Sequence, residues 1–253
     1  MGGLTAAVAF ARKGFKEIHV YENAPALGFV GAGIQIAPNL ICVLDELGIW
    51  QGSAIHREAT AVKEVRVIEG PSDRELARVS MADVGEKYGY PHYAGHRASL
   101  ASVLYDAAKS EPNVHFHFDQ TLESVESYEP SNISFVVKDS VGVEQTVETD
   151  ILIGADGIKS AVRELMLSRL GLKAEVEDTG TAAYRIILDR KQMEPYPELL
   201  ELIDSDTVRR WIGPRRHLIA YPIHNPTLYN NATAQQDVNF SGSVNSTWTN
   251  KGD

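Results

Sequence analysis

The sequence of 253 residues has little cysteine, no long apolar run and few basic side chains. Its one cysteine, Cys42, excludes an intrachain disulfide and a thiolate metal cluster and fits a reducing compartment, so we expect a cytoplasmic protein. No apolar run reaches the roughly 18 residues of a membrane span, and the start lacks the layout of a signal peptide. The 24 Lys and Arg against 34 Asp and Glu give a formal charge of −10, so we expect no nucleic-acid partner.

What is present is an ordinary globular composition, 43% hydrophobic and 23% charged. Apolar helix formers over 4–13 predict a buried helix, and periodic apolar residues predict further helices over 38–47 and 96–109. The glycine-rich residues 23–37 predict a loop. Strand-like runs lie at 17–22, 62–68, 76–81, 113–118, 121–126, 132–138, 182–188, 208–213 and 216–223.

Three further segments complete the pattern. Residues 149–157, TDILIGADG, predict a buried strand that runs into a turn and opens the next helix. Residues 225–253 are rich in asparagine and other polar residues and predict a loose hairpin or disorder. A Gly-Gly pair before a buried helix normally follows an apolar strand, and Met1 stands where that strand should enter, so we expect the first strand to be missing.

The opening also suggests a ligand. Gly2 and Gly3 precede the first helix, and Glu22 lies 19 residues beyond Gly3. In dinucleotide-binding units, glycines let the backbone approach a pyrophosphate at a helix N-terminus, and an acid about 20 residues on binds the ribose. Only the end of that fingerprint is present, so a capped buried helix followed by a strand-ending acid remains the alternative.

Three other segments could contact a ligand. Gly31 and Gly33 would let a loop lie flat against a planar group or turn sharply, although the segment taken alone favours a plain surface loop. Arg97 stands at the start of a helix, where its guanidinium could help to bind an anion. The alternative is an ordinary arginine in the first helical turn. Asp156 and Gly157 form a tight turn after the apolar run, where open α/β sheets bind ligands; the alternative is an Asp that only caps the helix.

The histidines give no metal signature. His92 and His96 are four residues apart, but a flanking proline and glycine argue against the helix that would make them converge. His115 and His117 share a strand face with Asp119, which we interpret as a half-buried strand. We therefore expect no metal site.

Taken in order, Gly3, Glu22, GAGIQ (31–35), HRASL (96–100) and GADGIKSAVR (154–163) resemble the group A flavin-dependent aromatic hydroxylases, which include salicylate and p-hydroxybenzoate hydroxylases. The resemblance implies an α/β fold: an incomplete, glutathione-reductase-like Rossmann-type FAD-binding domain and a β-rich substrate domain. The FAD-binding domain would comprise 1–60 and 83–180, and the substrate domain 61–82 and 181–253. The family's second Gly-Asp motif does not occur before the chain ends, so we expect truncation at both ends.

The resemblance also assigns roles. Gly2 and Gly3 would approach the pyrophosphate, and Glu22 would bind the adenosine ribose of FAD. Gly33 and Gln35 would line the flavin side of the cofactor cleft.

On the same basis, Arg97 would meet the pyrophosphate or ribityl region. Asp156 and Gly157 match an internal Asp-Gly motif associated with FAD and reduced nicotinamide. Arg185 and Tyr221 would face the substrate as catalytic residues, or else be structural residues on the rim of a sheet.

The implied activity is hydroxylation of a phenolic or aromatic acid with NAD(P)H and O2. The cofactors would be FAD and NAD(P)H, the latter as co-substrate, and the partner would be a small aromatic molecule. Two alternatives remain open: a non-catalytic remnant that at most binds a partner, and a related flavoprotein reductase that acts on a non-aromatic substrate.

Overall fold

Helices and strands alternate along the first half of the chain, and strands dominate the second half. The computed structural model describes residues 1–28, 31–130, 132–173, 176–224 and 226–236. The helices are α1 (Gly2–Arg12), α2 (Pro38–Glu46), α3 (Ala54–Glu58), α4 (Val84–Tyr88), α5 (Arg97–Ser110), α6 (Ala161–Arg169), α7 (Arg190–Met193) and α8 (Pro197–Ile203). None of the helices in these ranges is long and apolar enough to cross a bilayer.

The strands begin with β1 (Ile18–Glu22), β2 (Gly33–Ile36), β3 (Thr60–Ala61), β4 (Glu64–Glu69), β5 (Glu75–Ser80), β6 (Tyr93–His96) and β7 (Val114–Phe118). They continue with β8 (Thr121–Glu129), β9 (Asn132–Lys138), β10 (Glu144–Thr149), β11 (Thr181–Asp189), β12 (Thr207–Gly213), β13 (Arg216–His224) and β14 (Leu228–Gln236). The predicted α/β class, the three helices and the nine short strand-like runs are confirmed. The polar end of the chain forms β14, and residues 237–253 lie outside the described residues.

The first of two units comprises Met1–Val30, Val43–Ala54 and Arg97–Val176. Within it, β1 and β7 pair in parallel, and β8, β9 and β10 form an antiparallel sheet. Helix α1 packs against α5 and β1. The buried apolar side chains of these helices include Val8, Leu100 and Leu104, as the helical periodicity predicts.

The second unit comprises Gly31–Cys42, Ile55–His96 and Glu177–Asp253. Its six-stranded sheet has the order β11-β14-β13-β12-β4-β5, so the β4–β5 hairpin joins the strands that follow residue 177. A three-stranded sheet has the order β2-β6-β3. The domain boundaries inferred from sequence place 31–42 in the first domain, and that assignment stays a prediction.

Two local predictions are wrong. Residues 23–37 are not all loop, because β2 forms within them and pairs with β6. Residues 151–157 form no strand, and Ile151 and Ile153 are 50% and 48% exposed. A strand exists only where a neighbouring chain segment satisfies its backbone groups, and no strand of the described ranges pairs with this apolar run.

Candidate functional site

The N-terminus of α1 is open to an anion. Met1 is the N-cap and gives no side-chain cap, and no acidic residue stands in the first turn. Ala155 lies next to this helix start, since a Cβ placed on Gly3 would lie 3.4 Å from the Cβ of Ala155. The amides of this turn and the helix dipole favour negative charge.

Glu22 and Arg97 both interact electrostatically with the Met1 amino group at this helix start. Burial and then the Arg97 charge lower the pKa of the Met1 amino group, and Glu22 opposes that change. Glu22 ends β1, and its carboxylate accepts a hydrogen bond from the Ala24 amide at 3.0 Å. Arg97 opens α5 and is exposed. The first unit therefore gathers four predicted residues: Gly2, Gly3, Glu22 and Arg97.

Asp156 organises the turn before α6. Its Oδ1 accepts from the Ser160 hydroxyl at 2.6 Å, and its Oδ2 accepts from the Val162 amide at 3.1 Å. Burial raises the pKa of Asp156, but the hydrogen bonds from Ser160 and from backbone amides outweigh it and hold the pKa below its ordinary value. Gly157 has φ +81°, a conformation that favours glycine. Asp156 thus serves the helix N-terminus, as the capping alternative expects.

In the second unit, Gly33 and Gln35 lie on β2. Gln35 is exposed, and its Oε1 lies 3.2 Å from Nε2 of His92. The Gly33 amide donates to Oδ1 of Asn230 at 2.8 Å. Asn230 is 1% exposed, and its Nδ2 has no hydrogen-bond partner among the described residues.

Sequence reasoning missed Asn230 because it lies 197 residues from Gly33. No local pattern signals a pair at that distance, and Asn230 belongs to a polar segment for which we expected a loose hairpin or disorder.

His96 lies beside this strand. It pairs in register with Gly33, and a Cβ on Gly31 would collide with its ring. Burial lowers the pKa of His96, with His224 acting in the same direction and Glu58 against it. Gly31 is therefore required for close packing against an imidazole.

Arg185 and Tyr221 share one face of the large sheet. Tyr221 pairs with Asn230, and Arg185 pairs with Ala232 two residues along the same strand. Tyr221 is 5% exposed and packs in the core with Ile223. Burial raises the pKa of its hydroxyl, and Arg185 opposes that rise. The predicted pair interacts electrostatically, with the arginine exposed and the tyrosine buried.

The residues near the start of α1 fit the diphosphate and ribose parts of a flavin dinucleotide. An open helix end beside Arg97 suits a diphosphate, and the Glu22 carboxylate suits ribose hydroxyls. In the second unit, the spaces beside Gly31 and Gly33 are filled by His96 and Asn230, so both glycines serve packing within that unit. The first-unit residues would hold their part of FAD, and the predicted role of each residue stays a prediction.

A family model and known proteins of similar sequence match most of this chain. The model of a family described as FAD binding domain matches residues 1–241. The 3-hydroxybenzoate 6-hydroxylase 1 of Aquipseudomonas alcaligenes is 31% identical over 231 residues, which are 91% of this chain and 54% of that protein. The 3-amino-4-hydroxybenzoate 2-monooxygenase PtnB3 of Streptomyces platensis is 30% identical over 224 residues, 88% of this chain and 51% of the relative.

Solved structures agree on the fold. Klebsiella pneumoniae HpxO complexed with FAD and uric acid matches with a TM-score of 0.75 at 20% identity, over 95% of this chain and 56% of that one. The chain spans about half the length of the curated relatives it matches. The family resemblance inferred from the motifs is confirmed, and the chain belongs to the FAD binding domain family.

Proposed function

We propose that this chain binds FAD as part of a monooxygenase that hydroxylates a phenolic acid with NAD(P)H and O2. The observation that carries the proposal is that Glu22 and Arg97 both act electrostatically on the amino group at the N-terminus of α1, which has no side-chain cap. Curated relatives that act on hydroxybenzoates support the substrate class. We keep the cytoplasm as the proposed compartment, since a single cysteine fits a reducing environment.

The first unit would bind the adenosine and diphosphate part of the cofactor. The amides after Gly2 and Gly3 would donate to the diphosphate, and Arg97 would pair with its charge. Glu22 would accept hydrogen bonds from the ribose hydroxyls. Asp156, already an acceptor for three neighbouring groups, would hold the α6 turn in place and leave Gly157 free for close backbone approach.

The second unit would position the substrate. Arg185 would pair with a carboxylate or phenolate, since a guanidinium binds such groups bidentately. Tyr221 remains protonated at neutral pH because burial raises its pKa, so its hydroxyl would donate to the ring oxygen. When bound, FAD supplies hydride acceptance and oxygen activation. The reaction balances as ArH + O2 + NAD(P)H + H+ giving ArOH + H2O + NAD(P)+.

Flavin binding is the first test. We expect the purified chain to bind FAD, measured by flavin fluorescence in equilibrium dialysis. Arg97→Gln and Glu22→Gln should each weaken binding about tenfold or more, because hydrogen bonds to charged groups contribute about 1.5–3 kcal/mol. Arg216→Gln, at an exposed strand start of the second unit, is the control and should bind normally. A colourless protein that takes up no added FAD would contradict the proposal.

Turnover is the second test, with 3-hydroxybenzoate as the probe. We expect NAD(P)H oxidation coupled to a dihydroxybenzoate product, a raised KM in Arg185→Gln and a lowered kcat in Tyr221→Phe. Flavin binding without any turnover would favour the remnant, and oxidation of NAD(P)H with a non-aromatic acceptor would favour the reductase.

A further inference from the structure

Strand β11 is one edge of the six-stranded sheet, and no strand in the described part of the chain pairs with its outer side. It pairs with β14 over all nine of its residues without a shift in register. Such an edge presents a row of backbone donors and acceptors to which another chain can add a strand. The outer side of β11 is therefore a candidate surface for association.

The opposite edge of the same sheet, β5, shows how an edge is protected from pairing. It has only six residues, and its register with β4 shifts between Val67 and Ile68. Glu75 and Arg78 form an ion pair along the strand, with Oε2 and Nη2 2.9 Å apart. Short length, bulges and charges are means by which natural proteins prevent edges from pairing. β11 is longer and has a regular register, so it lacks two of these protections.

The exposed face of β11 is apolar in its middle. Tyr184 is 44% exposed and Ile186 is 55% exposed. Because side chains alternate along a strand, both project from the same face as Leu188. Leu188 packs against the buried cluster that contains Met193 and Ile203. A chain that covered Tyr184 and Ile186 would therefore extend an existing core.

The direction of the backbone groups limits how two copies of β11 can pair. The Tyr184 amide donates to Oγ1 of Thr233 at 3.3 Å, so it points toward β14. Backbone groups alternate in direction along a strand, so those of Arg185 and Ile187 point to the open side. In an antiparallel pair, outward-pointing residues of one copy stand opposite outward-pointing residues of the other. Odd-numbered residues must therefore pair with odd-numbered residues.

Charge then selects one register. A two-fold axis at Arg185 would pair all nine residues, but it would place the two Arg185 side chains directly opposite each other, which is destabilising. An axis at Ile187 would pair only residues 185–189. An axis at Ile186 pairs residues 183–189, which is the longest ladder that keeps like charges from facing each other directly.

The side chains are complementary in this register. The two Ile186 side chains meet at the axis, and Tyr184 of each copy lies opposite Leu188 of the other. Aromatic and aliphatic cross-strand pairs of this kind stabilise sheets. On the other face, Arg185 stands diagonal to Asp189 of the second copy, within reach of a long side chain. The strand is thus self-complementary in both apolar character and charge.

We propose that two copies of this chain associate through β11 in an antiparallel pair centred on Ile186, which joins their six-stranded sheets into one. Arg185 of each copy exchanges both backbone hydrogen bonds with Ile187 of the other. Because a two-fold interface uses the same surface of both copies, the assembly closes at a dimer. The dimer does not depend on flavin, so this proposal and the proposed function can fail separately.

Sedimentation velocity of the 253-residue chain over a range of concentrations measures the association. We expect a reversible equilibrium between monomer and dimer. Ile186→Lys should raise the dimer dissociation constant about tenfold or more, because the axis places the two lysines directly opposite each other. Val79→Lys is the matched control: Val79 lies on β5 and is 52% exposed, so the dissociation constant should stay unchanged.

A disulfide tests the register. Two residues at the axis form a non-hydrogen-bonded pair with Cα atoms about 4.5 Å apart, which suits a disulfide. The exposed native thiol is first removed by Cys42→Ser. In that background, Ile186→Cys should give a covalent dimer on mild oxidation. Tyr184→Cys should not, because the two copies of residue 184 lie about 13 Å apart along the strands.

The cross-link keeps the proposal testable even where Ile186→Lys loses its fold, which circular dichroism would show. Ile186→Val keeps an apolar, β-branched side chain at the axis and should dimerise like the parent. A monomer at every concentration, a dissociation constant that Ile186→Lys leaves unchanged, or equal cross-linking of the two cysteine variants would overturn the proposal.

Discussion

Replacing Gly33 with alanine tests how tightly β2 is held. The new Cβ would lie 2.5 Å from Cγ of Asn230 and 2.8 Å from its Oδ1 and Nδ2. Carbon atoms in contact prefer about 3.5–4.0 Å, so the amide would have to move by about 1 Å. Asn230 is 1% exposed and holds the Gly33 amide at 2.8 Å, so that movement also costs a hydrogen bond.

The expected cost follows from these two contacts. Overpacking a buried position costs about 1–3 kcal/mol, and a lost hydrogen bond costs about 0.5–1.5 kcal/mol. The free energy of unfolding should therefore fall by about 2–4 kcal/mol. For a chain of this size, 1 kcal/mol lowers Tm by about 2–4 °C, so we expect a fall of about 4–16 °C.

Circular dichroism melts of the parent and four variants measure the effect. Gly28→Ala is the control, because a Cβ there meets nothing within 4 Å, and its Tm should stay close to that of the parent. Asn230→Ala should cost about 1–3 kcal/mol by leaving the Gly33 amide without its acceptor. In the Gly33→Ala/Asn230→Ala double variant, the new methyl group has room. The double variant should therefore lose about 1–2 kcal/mol less free energy of unfolding than the sum of the two single losses. Strict additivity, or an unchanged Tm in Gly33→Ala, would refute the reasoning.

Three further substitutions and one control test the first unit. Leu104→Ala should lower the free energy of unfolding, measured in urea, by about 2–5 kcal/mol, because the Leu104 side chain is 2% exposed. Leu170→Ala is the control: Leu170 is 63% exposed, so the free energy of unfolding should change by less than about 0.5 kcal/mol. Asp156→Asn should lower the free energy of unfolding by about 1–2 kcal/mol at pH 7, because it weakens the hydrogen bonds that Asp156 accepts before α6. Because the folded-state pKa of Asp156 is depressed, its contribution is present above about pH 4 and is lost as the pH falls below that, so melts of the two proteins should converge in acid. Gly157→Ala should lower the free energy of unfolding by about 1–2 kcal/mol in the same melts, because φ at residue 157 is +81°. An unchanged stability would contradict the turn assigned to this residue.

Local patterns predicted the elements whose stability depends on one buried face. The period of Leu100 and Leu104 located α5, and both side chains are 2% exposed. The spacing of Gly3 and Glu22 likewise singled out Glu22, whose charge acts on the amino group at the start of α1; the roles of both residues toward FAD stay predictions. These signals depend on residues close in sequence, which is why they can be read without the fold.

The failures concern structure that depends on distant partners. Strand β2 forms in a glycine-rich segment because β6, some sixty residues later, supplies its hydrogen bonds. Conversely, 151–157 has a strand-like composition but forms no strand, since none of the described strands pairs with it. Asn230 was hidden for the same reason: a contact between segments 197 residues apart has no local signature.

The half-exposed Ile151 and Ile153 have a practical consequence for anyone who prepares this protein. An apolar segment that pairs with none of the described strands offers a template on which a second molecule can add a strand. Loss of material during storage should therefore rise steeply with protein concentration. A lysine in place of Ile153 should slow that loss, because charge on an open edge opposes such pairing.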